Sequence, residues 1–127
     1  MIHTFLRSIG FGDLTKNADL YLILESILNR PDEQNIVKDE YGNEFWEARE
    51  LMPLLEYSKW ENFHKVIKRA MIACETSNNK VSDHFPEFRK MVDIGSKTKR
   101  ETIDYRLSRY ACYLIVQNAN PRKKSVA

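Results

Sequence analysis

The spacing of hydrophobic residues changes along the chain, and the first region that stands out is residues 1–34. An apolar patch at Phe5–Ile9 ends at Gly10, a residue suited to closing a helix. A second apolar stripe has helical spacing and ends at Pro31. Its residues are Leu20, Ile23, Leu24, Ile27 and Leu28. The pattern predicts two short amphipathic helices, which form a helical N-terminal module ahead of a domain over residues 35–127.

The next stretch predicts a hairpin and a short helix. Two short strands, Asn35–Asp39 and Glu44–Glu47, flank a turn in which Gly42 tolerates the positive φ of a tight connection. A helix over Ala48–Leu55 follows, and Pro53 limits its length because proline lacks a backbone donor.

The clearest helical pattern begins after Tyr57. Ser58 and Glu61 have the spacing of a capping box, so we expect the serine oxygen to accept the Glu61 amide. An apolar stripe then follows at intervals of three and four residues: Trp60, Phe63, Ile67, Ala70 and Cys74. A short helix, a tight turn and a capped helix form the layout of a helix-turn-helix.

The last third of the chain predicts a second hairpin and a buried helix. Between Arg89 and Leu107 the apolar spacing falls to two, which is typical of strands, and the loop Gly95–Arg100 carries three cations. This basic hairpin has the position of a wing. Ser108 then begins a helix through Val116 that is apolar nearly all round, so we expect it to be buried. The elements together predict a small α+β fold.

Charge is distributed unevenly, although the net charge is only +2. Residues 1–57 hold 5 Lys and Arg against 11 Asp and Glu, a balance of −6, and residues 58–127 hold 15 against 7, a balance of +8. A basic half of this size indicates contact with a polyanion. The alternative is two solvated faces that neutralise each other within one fold.

The basic half concentrates its candidate DNA-binding side chains on two elements. Lysines on such surfaces suit phosphate, whereas Asn62 and Arg69 have the donors and acceptors that read base edges. The alternative for the helix is an ordinary solvated face. The candidates are Lys59, Asn62, Lys65, Lys68 and Arg69 on the capped helix, and Lys97, Lys99 and Arg100 on the loop.

Several classes of protein are excluded by what the sequence lacks. It has no apolar run of roughly 18 residues that would span a membrane, and no secretory signal, so we expect a cytoplasmic protein. Cys74 and Cys112 lie far apart within apolar runs, which indicates core residues rather than ligands or nucleophiles. No metal spacing, phosphate loop or catalytic motif is present, and we expect neither a cofactor nor enzymatic activity.

Seven segments between about residues 36 and 124 carry a family resemblance: Phe45–Leu55, Tyr57–Phe63, Asp83–Phe85, Lys90–Val92, Gly95–Ser96, Lys99–Arg100 and Leu107–Leu114. They resemble the family of DNA-damage-inducible protein D, which carries the N-terminal domain of the BRO proteins shared with phage antirepressors. The resemblance implies a compact α+β DNA-binding domain linked to the bacterial damage (SOS) response or to phage regulation. It points to the helix after Ser58 and the loop Lys97–Arg100.

Three departures from the family matter. Glu56 stands where the family usually has glycine, and it strains the turn if that position needs a positive φ. The long helical C-terminal part of the family does not follow Lys124 in this chain. Residues 1–35 differ from the family, and Phe5–Phe11 is similar to the opening of an uncharacterised Gram-positive family. The chain is thus a mosaic, whether a natural fusion, a mobile-element product or a designed sequence.

Two functions follow from the sequence. The first is a non-enzymatic DNA-binding regulatory domain. The second is a protein-binding inhibitor, acting as an antirepressor, antitoxin or anti-CRISPR protein in anti-defence, with a repressor, toxin or nuclease complex as its partner. A homodimer is an alternative to the monomer in either case, because a large apolar patch seldom stays bare.

Overall fold

The architecture is that of a computed structural model, which describes residues 17–29 and 37–120. The described residues form helices and two pairs of consecutive strands, and the fold is a small α+β domain, as the sequence predicts. The elements in chain order are α1 (Ala18–Leu28), β1 (Val37–Lys38), β2 (Glu44–Glu47), α2 (Ala48–Leu54), α3 (Trp60–Thr76), α4 (Val81–His84), β3 (Glu87–Asp93), β4 (Lys99–Leu107) and α5 (Arg109–Asn118).

One sheet of four strands carries the β part of the fold. Its order is β1-β2-β4-β3, and every pairing is antiparallel. The long hairpin pairs along its whole length, from Glu87 opposite Tyr105 to Asp93 opposite Lys99. Both predicted hairpins are confirmed, and Gly42 in the first turn has a φ of +83°.

Helices α3 and α5 lie antiparallel to each other at the centre of the core. Arg69 of α3 contacts the end of α5, while Asn79, just after α3, contacts Tyr110 at the start of α5. The apolar stripe of α3 is confirmed, since Phe63 and its stripe neighbours in the middle of the helix are fully buried. The prediction for α5 is confirmed too: Ser108 Oγ accepts a hydrogen bond from the Ala111 amide at 3.0 Å, and all residues from 111 to 116 are buried.

Helix α1 shares this core. Leu20, Leu24 and Leu28 are at most 3% exposed and lie in the same apolar cluster as α3 and α5. The second predicted N-terminal helix is therefore confirmed, whereas the first, at Phe5–Ile9, lies outside the described residues. The division of the chain near residue 34 into a module and a domain stays a prediction.

The start of α3 differs from the prediction. Lys59 holds the N-cap position with an extended backbone, its carbonyl accepts the Phe63 amide at 3.2 Å, and no side chain caps the helix. The predicted capping box is therefore wrong. Because the helix begins one residue later than expected, Ser58 lies outside the cap and Glu61 occupies the second helical position rather than the third.

The end of α2 shows which backbone conformation position 56 requires. The Glu56 amide donates to Pro53 O at 3.0 Å and the Tyr57 amide donates to Met52 O at 3.1 Å, which is the Schellman pattern of helix termination. This pattern needs a left-handed residue, and Glu56 has a φ of +68°. The strain expected from the sequence is present, because a side chain makes this conformation unfavourable.

Candidate nucleic-acid interface

The outer face of α3 presents the helical part of the predicted site. Lys59, Asn62, Lys65, Lys68 and Arg69 are all exposed, while the opposite side of the helix is fully buried. The core fixes the rotation of α3, and this rotation directs the polar side chains to solvent.

Arg69 has a second role within the fold. Its Nη2 atom donates to the Asn118 carbonyl at 2.9 Å and to Asn120 Oδ1 at 3.2 Å. An arginine that hydrogen bonds to the last carbonyls of a helix stabilises the end of that helix. Arg69 therefore joins α3 to the end of α5, and the lysines beside it are the cleaner candidates for a ligand.

The tip of the β3–β4 hairpin presents the second part of the site. Ile94 N donates to Thr98 O at 3.0 Å and Thr98 N donates to Gly95 O at 2.8 Å, which closes the turn. Ser96 and Lys97 have φ values of 42° and 64°, as in the turns that match the twist of a hairpin. The predicted site residues Lys97, Lys99 and Arg100 are all exposed here.

A layer of aromatic rings joins the hairpin to α3. Trp60 stacks on His64 with ring centroids 5.2 Å apart and on Tyr105 of β4 at 6.5 Å, and the Arg49 guanidinium lies 3.9 Å from the centre of the Trp60 ring. Arg49 also donates from Nε to the Ile103 carbonyl at 2.9 Å. One arginine of α2 thus contacts the start of α3 and the middle of β4.

A buried carboxylate anchors the same junction. Asp104 is fully buried, and its Oδ1 atom accepts the backbone amides of Arg49 at 3.0 Å and Tyr105 at 2.8 Å. Lys90 lies 3.6 Å from Asp104 Oδ2 and 2.5 Å from Glu47. Burial disfavours the ammonium, but the hydrogen bond and charge of Glu47 and the charge of Asp104 outweigh it and raise the pKa of Lys90.

We define the junction as Arg49, Trp60, His64, Lys90, Asp104 and Tyr105. Apolar spacing identifies Trp60 only as a stripe residue, and no pattern in the sequence gives the other five a site role. Side chains alternate between the two faces of a strand, so Asp104 is on the other face of β4 from Ile103 and Tyr105. The sequence pattern therefore assigns Asp104 to the solvent side and gives no signal that it is buried. It is covered because α2 follows directly after β2 and lies beside β4.

Electrostatics show which predicted site residues come near the junction. Burial lowers the pKa of His64, and the charges of Lys68 and Arg49 lower it further. Burial also lowers the pKa of Arg49, with the charge of Arg100 acting in the same direction. One cation of α3 and one of the hairpin therefore act on the residues that join the two elements.

A groove of mixed charge lies at the other end of the hairpin, between the β1–β2 turn, α4 and the start of β3. Its wall includes Phe88 and Arg106, whose guanidinium lies 4.8 Å from the centre of the Phe88 ring. Five carboxylates and three cations line it: Asp39, Glu40, Glu44, Asp83 and Glu87, with Lys38, Arg106 and Arg109.

Residues 33–127 match the profile described as the BRO family, N-terminal domain. The chain belongs to this family. The family resemblance read from the sequence is confirmed, and membership supports a regulatory domain of the phage-antirepressor type. The matched residues include every helix and strand from β1 to α5.

The chain is also 46% identical over 99 residues to DNA damage-inducible protein D of Escherichia coli strain K12. The match covers 78% of this chain and 36% of that protein, so the chain spans about a third of its relative's length. No solved structure gives a significant match.

Two further findings concern the described residues alone. Within 17–29 and 37–120, no three His, Cys, Asp or Glu side chains are placed to hold a metal ion. None of the helices in those ranges is long and apolar enough to cross a membrane.

Proposed function

We propose that this BRO domain is a non-enzymatic DNA-binding regulator that contacts the phosphate backbone through α3 and the hairpin tip. The observation that carries the proposal is that both elements expose their cations while the junction fixes one element against the other. A preformed pair of cationic elements suits duplex DNA, whose phosphates repeat along a rigid surface.

The residues divide into two roles under this proposal. Lys65, Lys68, Lys97, Lys99 and Arg100 neutralise phosphates, which provides affinity without sequence preference. Asn62 is the candidate for reading a base edge, because its amide offers both a donor and an acceptor. The name of the E. coli relative supports a role in the response to DNA damage.

Salt dependence tests the phosphate contacts. Neutralising five phosphates gives a slope of log K against log salt of about −4.5, so affinity for a duplex probe falls roughly 500-fold between about 50 and 200 mM salt. Fluorescence anisotropy with a labelled duplex measures this. An affinity that does not change with salt would show that the cations do not touch phosphate.

A pair of variants tests the location. Lys65→Ala with Lys68→Ala should lose most of the affinity and remain folded, because both side chains are exposed. Lys38→Ala with Lys80→Ala removes the same charge from exposed positions outside both elements and serves as the control. Equal losses in the two variants would contradict a site on α3.

The second candidate function is a protein-binding inhibitor of the antirepressor or anti-defence type. The mixed-charge groove favours it, because carboxylates beside the exposed ring of Tyr41 suit a basic protein partner. Gel filtration with and without DNA at two salt concentrations separates the two functions. A chain that never shifts with DNA, yet elutes with a purified repressor or nuclease, has the second function.

A further inference from the structure

Strand β3 forms one edge of the sheet, and its outer side has no pairing partner among residues 17–29 and 37–120. The strand is seven residues long, from Glu87 to Asp93. Met91 is 57% exposed and Ile94, just beyond the strand, is 58% exposed. A long open edge with exposed apolar side chains is a template for pairing with another strand.

The backbone of β3 shows which groups face outward. Ile94 N donates to Thr98 O, and Pro86 O accepts from Arg106 N, so even-numbered residues direct their backbone groups toward β4. Backbone direction alternates along an antiparallel strand. Arg89, Met91 and Asp93 therefore direct their amides and carbonyls to the free edge.

The charges and the length of β3 together favour one register for pairing with a copy of itself. A twofold axis at Met91 pairs the five residues 89–93 and places Met91 opposite Met91 and Arg89 of each copy opposite Asp93 of the other. An axis at Lys90 places two lysines opposite each other, and an axis at Arg89 does the same with two arginines. An axis at Phe88 or Val92 pairs only three residues of each strand. Opposite charges across a strand pair stabilise it and like charges destabilise it, so the Met91 register is favoured.

We propose that two copies of this chain pair antiparallel through β3, with the twofold axis at Met91, to form one continuous eight-stranded sheet. The outward backbone groups of Arg89, Met91 and Asp93 make the hydrogen bonds. This interface lies beside the hairpin tip rather than on it, so it is independent of the proposed DNA contacts.

A charge swap tests the register. Arg89→Asp places two pairs of like charges across the axis, and we expect the dimer to dissociate at least about tenfold more readily in analytical ultracentrifugation. The double variant Arg89→Asp with Asp93→Arg restores opposite pairs and should restore the dimer. Wild type that sediments as a monomer up to high micromolar concentration overturns the proposal, and so does a double variant that fails to recover.

A crosslink tests the contact itself. Met91→Cys places two thiols opposite each other, within the Cα separation that a disulfide spans, and should give a dimer band on oxidation. Cys74 and Cys112 are fully buried and do not compete. Glu101→Cys is the matched control, since Glu101 pairs with Met91 from inside the sheet and lies one strand further from the axis.

The crosslinking outcomes are decisive in both directions. Efficient crosslinking of Met91→Cys with none at Glu101→Cys supports the interface. Equal crosslinking of both variants indicates random collision and overturns it. A wild-type monomer whose β3 amides become protected from exchange only when an extended peptide is added would replace the second copy with a peptide partner.

Discussion

The helix α3 and the tip of the β3–β4 hairpin both carry exposed cations, but different forces hold them in place. The cations of α3 lie on a helix whose other side, including Phe63 and Ile67, is fully buried. The cations of the tip lie on a turn held by two backbone hydrogen bonds, with two residues at positive φ. The comparison shows that core packing fixes one half of the candidate interface and backbone geometry fixes the other.

The largest effect comes from breaking the link between the two regions. Asp104→Ala leaves the Arg49 and Tyr105 amides without their buried acceptor, and we expect a loss of about 3 kcal/mol in the free energy of unfolding. Urea unfolding measures it. The exposed Glu75→Ala serves as the control and should change stability by less than about 0.5 kcal/mol. A loss below about 1 kcal/mol for Asp104→Ala would show that the junction does not depend on this carboxylate.

The second effect compares DNA binding by the two regions. Lys65→Ala with Lys68→Ala and Lys97→Ala with Lys99→Ala each remove two cations, so each pair should reduce the salt slope of binding by about 2. Titrations of one duplex probe at several salt concentrations measure both slopes. If only the helix pair changes the slope, the hairpin tip does not contact DNA.

A third experiment replaces one lysine by glycine in each of the two regions. Lys65→Gly in the exposed middle of α3 should destabilise the protein by about 1 kcal/mol, because glycine is a poor helix former. Lys97→Gly should stabilise it by up to about 1 kcal/mol, because it removes a side chain from a left-handed position. Thermal and urea unfolding give both signs, and two changes of the same sign would contradict the different origins of the two sites.

A fourth experiment compares the C-terminal ends of α2 and α3. Both Glu56 and Asn78 are left-handed residues that close a helix, with φ values of 68° and 63°. Glu56→Gly should stabilise the protein by about 1 kcal/mol, and Asn78→Gly should do so by less, because asparagine tolerates this conformation. Equal gains measured by urea unfolding would show that the side chain at position 56 is not the source of strain.

The smallest effect concerns pH and the ring layer between the two regions. Burial lowers the pKa of His64 below the ordinary value of 6.5, so the folded state binds a proton less readily than the unfolded state. The contribution of His64 to the free energy of unfolding is therefore fully present above pH 6.5, the unfolded value, and is lost as pH falls through the lowered pKa of the folded state. Urea unfolding at about pH 7.5 and 5.5 should show a smaller loss for His64→Gln than for wild type. Identical losses would place the pH sensitivity elsewhere.

The elements of the fold could be predicted from the sequence because each has a local signal. Apolar spacing predicts α1, α3 and α5, and alternation with a glycine-containing loop predicts the hairpin between residues 89 and 107. The αL position of Glu56 follows from the family's usual glycine. These signals lie within a few residues of the features that they predict.

The junction could not be predicted, because its contacts join residues far apart in sequence. The Arg49 amide donates to Asp104, which is 55 residues away in sequence. His64 Nε2 lies 2.8 Å from the hydroxyl of Tyr105, which is 41 residues away. Hydrophobic patterning assigns such polar residues to the surface. The capping box was wrong for a local reason, since α3 begins one residue later than the spacing of Ser58 and Glu61 predicts.

The position of α5 at the end of the described chain has a consequence for synthesis of the protein. Six consecutive core residues, 111–116, belong to this helix, and α1, α3 and the sheet all pack against it. During translation α1 and α3 emerge before α5, the helix against which both of them pack. Because most of the core is completed by long-range contacts with α5, cooperative folding waits until residue 118 has left the ribosome. A nascent chain stalled before that point exposes its stripes to chaperones and proteases.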